Sequence, residues 1–345
     1  MASFLVKGGL RTVMIEGLPD DSWLPAADIQ AIVIALKSRT EPVEKAVTDS
    51  LACFRWLHQS LNTRQLYFKY CSTFDSTPTG NIGPVIDAVL EAFELEATII
   101  SPALPVNGRS VFEGHLFVNG DLLENSSMRF HPLTPMTESS LLKLIEAQGK
   151  GKAAKINYQL LDQGVDAVNE VLSSLNGVRY FVPDHFNDNH AETIVRSFVH
   201  YTFITGSSGL AEPLARLHAQ QSENQIKQTP MKTDTAPTLV LAGSCSVATR
   251  EQIHEFEGEF NSYRIEPENL NDPKSIAEEI WQWIAMQDNK PCLVFSSDDP
   301  ENVERIQKTS GPDVSHLLEQ TFGLLAKKSV SNGIRRLIVA GGETS

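Results

Sequence analysis

The chain is poor in the residues that would mark it as a metal, redox or secreted disulfide protein. It has four cysteines in 345 residues, Cys53, Cys71, Cys245 and Cys292, and no two of them form a Cys-x-x-Cys pair. A reduced, cytoplasmic setting is the simplest expectation. No apolar run reaches the ~20 residues that span a bilayer. The opening Met1-Ala-Ser-Phe-Leu-Val-Lys7 lacks the basic lead and long apolar stretch of a signal peptide. No membrane partner is expected. Basic residues are also scarce, 29 Lys+Arg against 43 Asp+Glu, for a net charge of −14. An acidic surface repels phosphate backbones, which argues against nucleic acid as the main partner and leaves room for one small phosphorylated ligand. Neither the P-loop pattern GxxxxGK[ST] nor GxGxxG follows any candidate strand, which disfavours a P-loop NTPase and a dinucleotide dehydrogenase.

What is present is a globular α/β composition, with 41% hydrophobic and 21% charged residues. The length suits two domains of ~150 residues each. Short β-branched runs read as strands at 11–16, 31–36, 65–70, 97–101, 155–160, 178–182, 201–205, 238–242, 262–265, 292–296 and 335–340. Between them, apolar spacing near 3.6 predicts helices at 41–59, 81–94, 138–148, 162–175, 250–260 and 275–287. Asp299-Pro300 reads as a helix start. The alternation implies two domains, each a mostly parallel sheet flanked by helices. One stretch departs from it: 109–123, RSVFEGHLFVNGDLL, has period-2 spacing and an Asn119-Gly120 turn, the mark of a β-excursion in the first domain. The polar, aperiodic segment 221–236 reads as a linker between a first domain, 1–220, and a second, 237–345. Met1 opens directly on a helical pattern, and the last strand runs into Gly341-Gly342-Glu343-Thr344-Ser345, so a first strand and a last helical segment are expected to be missing.

The densest polar segment is 69–83, KYCSTFDSTPTGNIG. Lys69 stands at the carboxyl end of a strand, where ligands of open α/β sheets sit. Tyr70, Ser72, Thr73, Ser76, Thr77 and Thr79 supply hydroxyls, Asp75 a carboxylate, and Asn81 a cap for the next helix. One cation and several hydroxyls suit a small anionic polyol; an ordinary Ser/Thr-rich helix-capping turn has equal weight. In 101–109, Asn107-Gly108 aims Arg109, whose planar fork matches a carboxylate, although a surface arginine after a turn is the commoner case. In 131–136, His131 and Thr134 stand in a proline-stiffened loop that could orient a ligand or merely pack. Asp184-His185 with Asp188-Asn189-His190 has no established metal spacing and reads as a helix-capping loop. In the second domain, Gly243-Ser244-Cys245-Ser246 and Gly341-Gly342-Glu343-Thr344 each close a strand with glycine and hydroxyls, an arrangement that can cradle phosphate. Gly206-Ser207-Ser208-Gly209 ends the first domain in the same style.

Together these motifs resemble one family. Tyr67-Phe68-Lys69-Tyr70-Cys71-Ser72-Thr73-Phe74-Asp75-Ser76-Thr77, with Gly80-Asn81-Ile82-Gly83-Pro84, resembles the signature of the four-carbon acid sugar kinases, and more narrowly of the 3-oxo-tetronate kinase branch. Relatives acting on threonate or erythronate carry a shorter Asp-Ser-Thr-Leu-Arg-Gly-Asn form there. The segments 101–109, 131–136, 206–210, 243–246 and 341–345 match as well, in order along nearly the whole chain.

The resemblance implies a sugar-acid-binding N-terminal domain, an ATP-binding C-terminal domain, and γ-phosphoryl transfer to the 4-hydroxyl of a 3-oxo-tetronate. It implies that Lys69, Ser72, Thr73, Asp75, Ser76 and Arg109 face the acid, with His131 nearby, and that Ser244, Ser246, Gly341, Gly342, Glu343 and Thr344 face ATP. Mg²⁺ would bridge ATP oxygens, Lys69 or Arg109 would fix the substrate carboxylate, and Asp75 or a carboxylate outside this chain would orient the hydroxyl. Family members open with a strand ending in an Asp-Asp-Phe-Thr-Gly turn and continue past Gly-Gly-Glu-Thr-Ser. The chain is therefore expected to be a fragment, a truncated chain or an inactive copy. A sugar-acid-binding protein without turnover is the alternative function, and the oligomeric state stays open, a homo-oligomer included.

Overall fold

The computed structural model describes residues 1–20, 23–131, 134–221, 237–243, 247–266, 270–296 and 313–341. The chain divides into two compact units, 1–228 and 229–345.

The N-terminal unit is built on a parallel five-stranded sheet. Its strands are β3 (Leu66–Lys69), β4 (Thr98–Ser101), β8 (Lys152–Ile156), β9 (Val178–Pro183) and β10 (Phe203–Gly206), in the order β3-β10-β4-β9-β8. Neighbouring residues of a strand point to opposite faces, and the core divides accordingly. Ile100, Tyr180, Val182 and Phe203 meet the helices α2 (Val43–Leu61), α3 (Ile82–Ala92) and α4 (Leu141–Gln148). Ile99, Phe181 and Ile204 turn the other way, onto α5 (Tyr158–Gln163), α6 (Val165–Ser174), α7 (Asp188–Phe198) and α8 (Ala211–Gln221). A sheet covered on both faces explains why β4 is buried at every position.

Local chemistry sets the boundaries. Helix α2 ends at Asn62, whose φ of 50° is left-handed. Helix α7 starts where the Asn187 side chain accepts from the His190 N–H at 2.8 Å, so the loop 184–187 caps a helix whose first turn holds Asp188, Asn189 and His190. The β-excursion is an antiparallel meander of β5 (Arg109–Phe112), β6 (His115–Val118) and β7 (Asp121–Leu122). Its two turns, Glu113-Gly114 and Asn119-Gly120, have positive φ at both residues, as right-twisted hairpins require.

Two elements differ from expectation. The strand expected at 155–160 runs over 152–156, and Tyr158 already begins α5, because the Asn157 side chain accepts from the Leu160 N–H and caps it. The single helix expected at 162–175 is broken at Gly164, whose φ of 100° is non-helical. The Asp299-Pro300 helix start lies outside the described residues.

Ahead of the main sheet, α1 (Ala2–Lys7) leads into β1 (Thr12–Glu16), which pairs in parallel with β2 (Ala31–Ala35) as a separate two-stranded sheet. Helix α1 docks on α8: a Cβ on Gly8 would stand 2.4 Å from the Ala215 Cβ. Only glycine allows that approach.

The C-terminal unit has a parallel four-stranded sheet in the order β12-β13-β11-β14: β11 (Thr238–Ala242), β12 (Ser262–Arg264), β13 (Cys292–Phe295) and β14 (Arg336–Ala340). Helices α9 (Val247–Glu257), α10 (Pro273–Ala285) and α11 (Asp313–Ser331) accompany it. Among the described residues, no helix is long and apolar enough to cross a membrane.

Candidate functional site

The register of the main sheet brings three strand ends level. Gly206 pairs with Lys69 on one side and with Ser101 on the other, so the carboxyl ends of β3, β10 and β4 form one edge. The edge is crowded enough to require glycine: a Cβ on Gly206 would lie 2.5 Å from the Ser101 carbonyl and 2.7 Å from the Tyr67 hydroxyl.

A cavity of about 820 Å³ opens beside β3. Residues 30–36 and 63–71 line it in unbroken runs. A strand face would present alternate residues, so β2 and β3 present their edges to this space. Its polar end lies where the two strands stop, at Ser38, Arg39, Lys69, Cys71 and Asp75. Lys69 is exposed to the cavity. The surrounding walls lower its pKa by desolvation, with Cys71 and Asp75 opposing and the Arg39 charge adding to the shift.

The loop after β3 is tied internally. The Thr73 hydroxyl donates to one Asp75 oxygen at 2.5 Å. The other Asp75 oxygen lies 3.3 Å from the Arg39 guanidinium. Asp75 is only 3% exposed while Arg39 is 56% exposed, so the carboxylate lies beneath and the cation above. Phe74 and Asp75 both have positive φ, 62° and 21°. For an aromatic residue that conformation is strained and costs about 1–3 kcal/mol. The strain turns Phe74 into the core, where it is fully buried, and holds Asp75 under Arg39.

The structure places the sequence-derived candidates unequally. Lys69 and Asp75 share the cavity. Thr73 is buried behind Asp75, and Ser72 is half-buried in the same turn. The Ser76 hydroxyl donates to Gln148 of α4 at 3.2 Å, and Ser76 is not on the cavity wall. The Tyr70 hydroxyl meets Thr205 at 3.1 Å, and Thr77 meets Thr79 at 3.2 Å, so much of the hydroxyl cluster bonds within the protein. Asn81 is the N-cap residue of α3 but makes no side-chain cap bond; its amide donates to the carbonyls of Ser38, Arg39 and Glu41 and fastens the β2–α2 loop onto the β3–α3 loop. Arg109 begins the meander, and its guanidinium donates to the Asn107 carbonyl. His131 accepts at Nδ1 from the Thr134 hydroxyl at 2.9 Å. Neither Arg109 nor His131 is on the cavity wall.

Arg39 is the residue that sequence reading missed. It follows an apolar strand, as Lys69 does, and that position was the available signal. Further along the same edge, Asp184 is buried and accepts from the Gly114 and Tyr158 N–H groups, both at 2.9 Å. Burial raises its pKa. Burial pushes the neighbouring His185 down to about 3, so its ring is neutral at physiological pH.

In the C-terminal unit the two glycine-bearing strand ends are adjacent. Ala242 pairs with Ala340, and the Gly243 N–H donates to the Ala340 carbonyl at 3.0 Å. Gly341 has a φ of 128°, which disfavours any side chain there. Ser244, Ser246, Gly342, Glu343 and Thr344 lie outside the described residues.

The fold and the two glycine-edged strand ends define a two-unit α/β protein with a cation-bearing cavity on one unit. Residues 1–214 match the family described as "Sugar-binding N-terminal domain", and residues 239–345 match "Nucleotide-binding C-terminal domain". The 3-oxo-tetronate kinase of Brucella melitensis biotype 1 is 42% identical over 355 residues, covering 100% of this chain and 80% of that protein. The 3-oxo-tetronate kinase of Escherichia coli K12 is 41% identical over 352 residues, covering 100% of this chain and 90% of its own length. The crystal structure of Haemophilus influenzae protein HI1011 superposes with a TM-score of 0.78 at 39% identity, over 99% of this chain and 83% of that one. The chain belongs to the four-carbon acid sugar kinase family, in its 3-oxo-tetronate kinase branch.

Proposed function

We propose that this protein is an ATP-dependent kinase that phosphorylates the 4-hydroxyl of a 3-oxo-tetronate in the cytoplasm. The observation that carries the reading is the placement of Lys69: a cation exposed to a large cavity at the carboxyl edge of a parallel sheet, in a protein whose net charge is −14. A local positive site in an acidic protein is selective for a small anion that larger polyanions cannot follow. The three described cysteines are free thiols, which supports a reducing compartment.

Lys69 holds the substrate carboxylate and so fixes the far end of a four-carbon chain, leaving the 4-hydroxyl oriented for attack. The N-terminal unit binds the acid, and the C-terminal unit binds ATP. The described part of the second unit fits a nucleotide: adjacent strands close on Gly243 and Gly341, where backbone is accessible without a Cβ. Ser244, Ser246, Gly342, Glu343 and Thr344 complete that site in the proposal. Among the described residues, no group of three or more His, Cys, Asp or Glu is placed to hold a metal. Mg²⁺, entering with ATP as part of the nucleotide substrate, would supply charge neutralisation during transfer.

The test is phosphorus NMR of the purified chain with ATP, Mg²⁺ and a 3-oxo-tetronate. A new phosphate-ester signal dependent on all three is expected, and Lys69→Ala lowers kcat/KM at least tenfold. No ester with any four-carbon sugar acid, or a Lys69→Ala effect within about twofold, overturns the reading.

A further inference from the structure

The loop after β2 brings a second cation to the acid site. We propose that Arg39 binds the substrate carboxylate together with Lys69, and that Asp75 is a positioning residue that aims Arg39. The inference rests on the kinase reading for the identity of the acid, and on the geometry alone for the roles.

Four observations converge. Arg39 and Lys69 line the polar end of one cavity, and the Arg39 charge is close enough to depress the Lys69 ammonium. Lys69 makes no ion pair among the described residues, and the one carboxylate beside the two cations is Asp75. Counting side chains, two cations and one anion leave a surplus of positive charge at the cavity end. That surplus calls for an anionic ligand.

The second observation is the direction of the pair. Asp75 is buried, with one oxygen taken by the Thr73 hydroxyl at 2.5 Å and the other facing Arg39 at 3.3 Å. A group at 3% exposure with both oxygens engaged is badly placed to receive a proton from a substrate hydroxyl. The Arg39 guanidinium, at 56% exposure, uses one edge on Asp75 and has further N–H donors to offer outward.

The third is that the Arg39 backbone is fixed from another element. The Asn81 amide holds the carbonyls on both sides of the position, Ser38 at 2.7 Å and Glu41 at 3.1 Å. Side chain and main chain of Arg39 are each held by the β3–α3 segment that follows Lys69. The fourth is the left-handed backbone at Phe74-Asp75, which keeps the Asp75 carboxylate turned under the guanidinium. An arginine so supported presents a preorganised fork that matches a carboxylate. The pairing also states a specificity: the ligand is recognised as an acid, and its uncharged alditol analogue is discriminated against.

The experiment compares wild type with Arg39→Ala, Arg39→Lys and Asp75→Asn. Calorimetry reads binding of erythronate and of uncharged erythritol without ATP, and steady-state kinetics reads KM and kcat for the 3-oxo acid. Circular dichroism confirms that each variant is folded. Arg39→Ala is expected to weaken erythronate binding and raise KM at least tenfold, with erythritol binding unchanged and kcat within about threefold. Arg39→Lys recovers part of the loss. Asp75→Asn raises KM in the same direction and keeps most of kcat and the shape of its pH profile. An Arg39→Ala variant that binds erythronate within twofold of wild type overturns the proposal. So does an Asp75→Asn variant that loses about a thousandfold in kcat with KM unchanged, since Asp75 would then be the base. A wild type that binds erythronate through Arg39 and yet transfers no phosphate sinks the kinase reading alone.

Discussion

The side-chain amide of Asn81 donates to the carbonyl of Ser38 at 2.7 Å, joining residues 43 positions apart. The same amide reaches Arg39 at 3.4 Å and Glu41 at 3.1 Å. Replacing Asn81 with alanine leaves these carbonyls without their donor and is expected to cost about 1–3 kcal/mol in chemical denaturation. Asn81→Asp costs more, because it sets a carboxylate against three carbonyl oxygens. An aspartate variant as stable as the alanine variant would contradict this.

His185 makes stability depend on pH. Its pKa is lowered from 6.5 to about 3, first by burial and then by His190. Protonation therefore favours the unfolded chain. The contribution is complete above the unfolded pKa of 6.5 and is lost as pH falls toward 3. By pH 5 the loss is about 2 kcal/mol. His185→Asn, which carries no titrating ring, is expected to flatten the fall in denaturation midpoint between pH 7 and pH 5. Parallel curves for the two proteins would refute the assignment.

Two glycines give opposite outcomes with alanine. At Gly209 a Cβ would stand 2.1 Å from the Ala103 carbonyl, a backbone atom that cannot swing aside. Gly209→Ala is expected to destabilise the N-terminal unit by about 1–3 kcal/mol. Gly323 lies inside α11, has no atom within 4 Å of its would-be Cβ, and is exposed. Gly323→Ala is expected to stabilise the C-terminal unit by about 0.5–1 kcal/mol. Thermal or urea unfolding with one probe in each unit separates the two effects.

Much of this was legible in the sequence because it is local. The β-branched run of β4 and the Asn119-Gly120 turn each carry their own signal, and the structure has the strand and the hairpin there. The polar segment 69–83 stands out by its composition, and its Lys69 and Asp75 line the cavity. What failed was everything that depends on a partner distant in sequence. Asn81 stands at the N-cap position of α3, as its sequence suggests, but its side chain makes no cap bond and its amide donates to carbonyls of another loop. The bond from the Ser76 hydroxyl to Gln148, 72 positions away, likewise carries no signal in the sequence. Arg39 carries no motif of its own, and it becomes conspicuous only when Asp75 is found beneath it. Gly164 ends one helix and starts the next through a φ that periodicity does not reveal.

The separate pairing of β1 with β2 has a thermodynamic consequence. A two-stranded ribbon is marginal alone, and this one gains its support from α1, α8 and the Asn81 clamp, with no strand pairing to the main sheet among the described residues. Its amides are expected to exchange with deuterated solvent well before those of Thr98–Ser101, which lie at the centre of five strands. The scaffold behind Arg39 is thus expected to open separately from the main sheet, and an acid gripped by both cations would slow that opening.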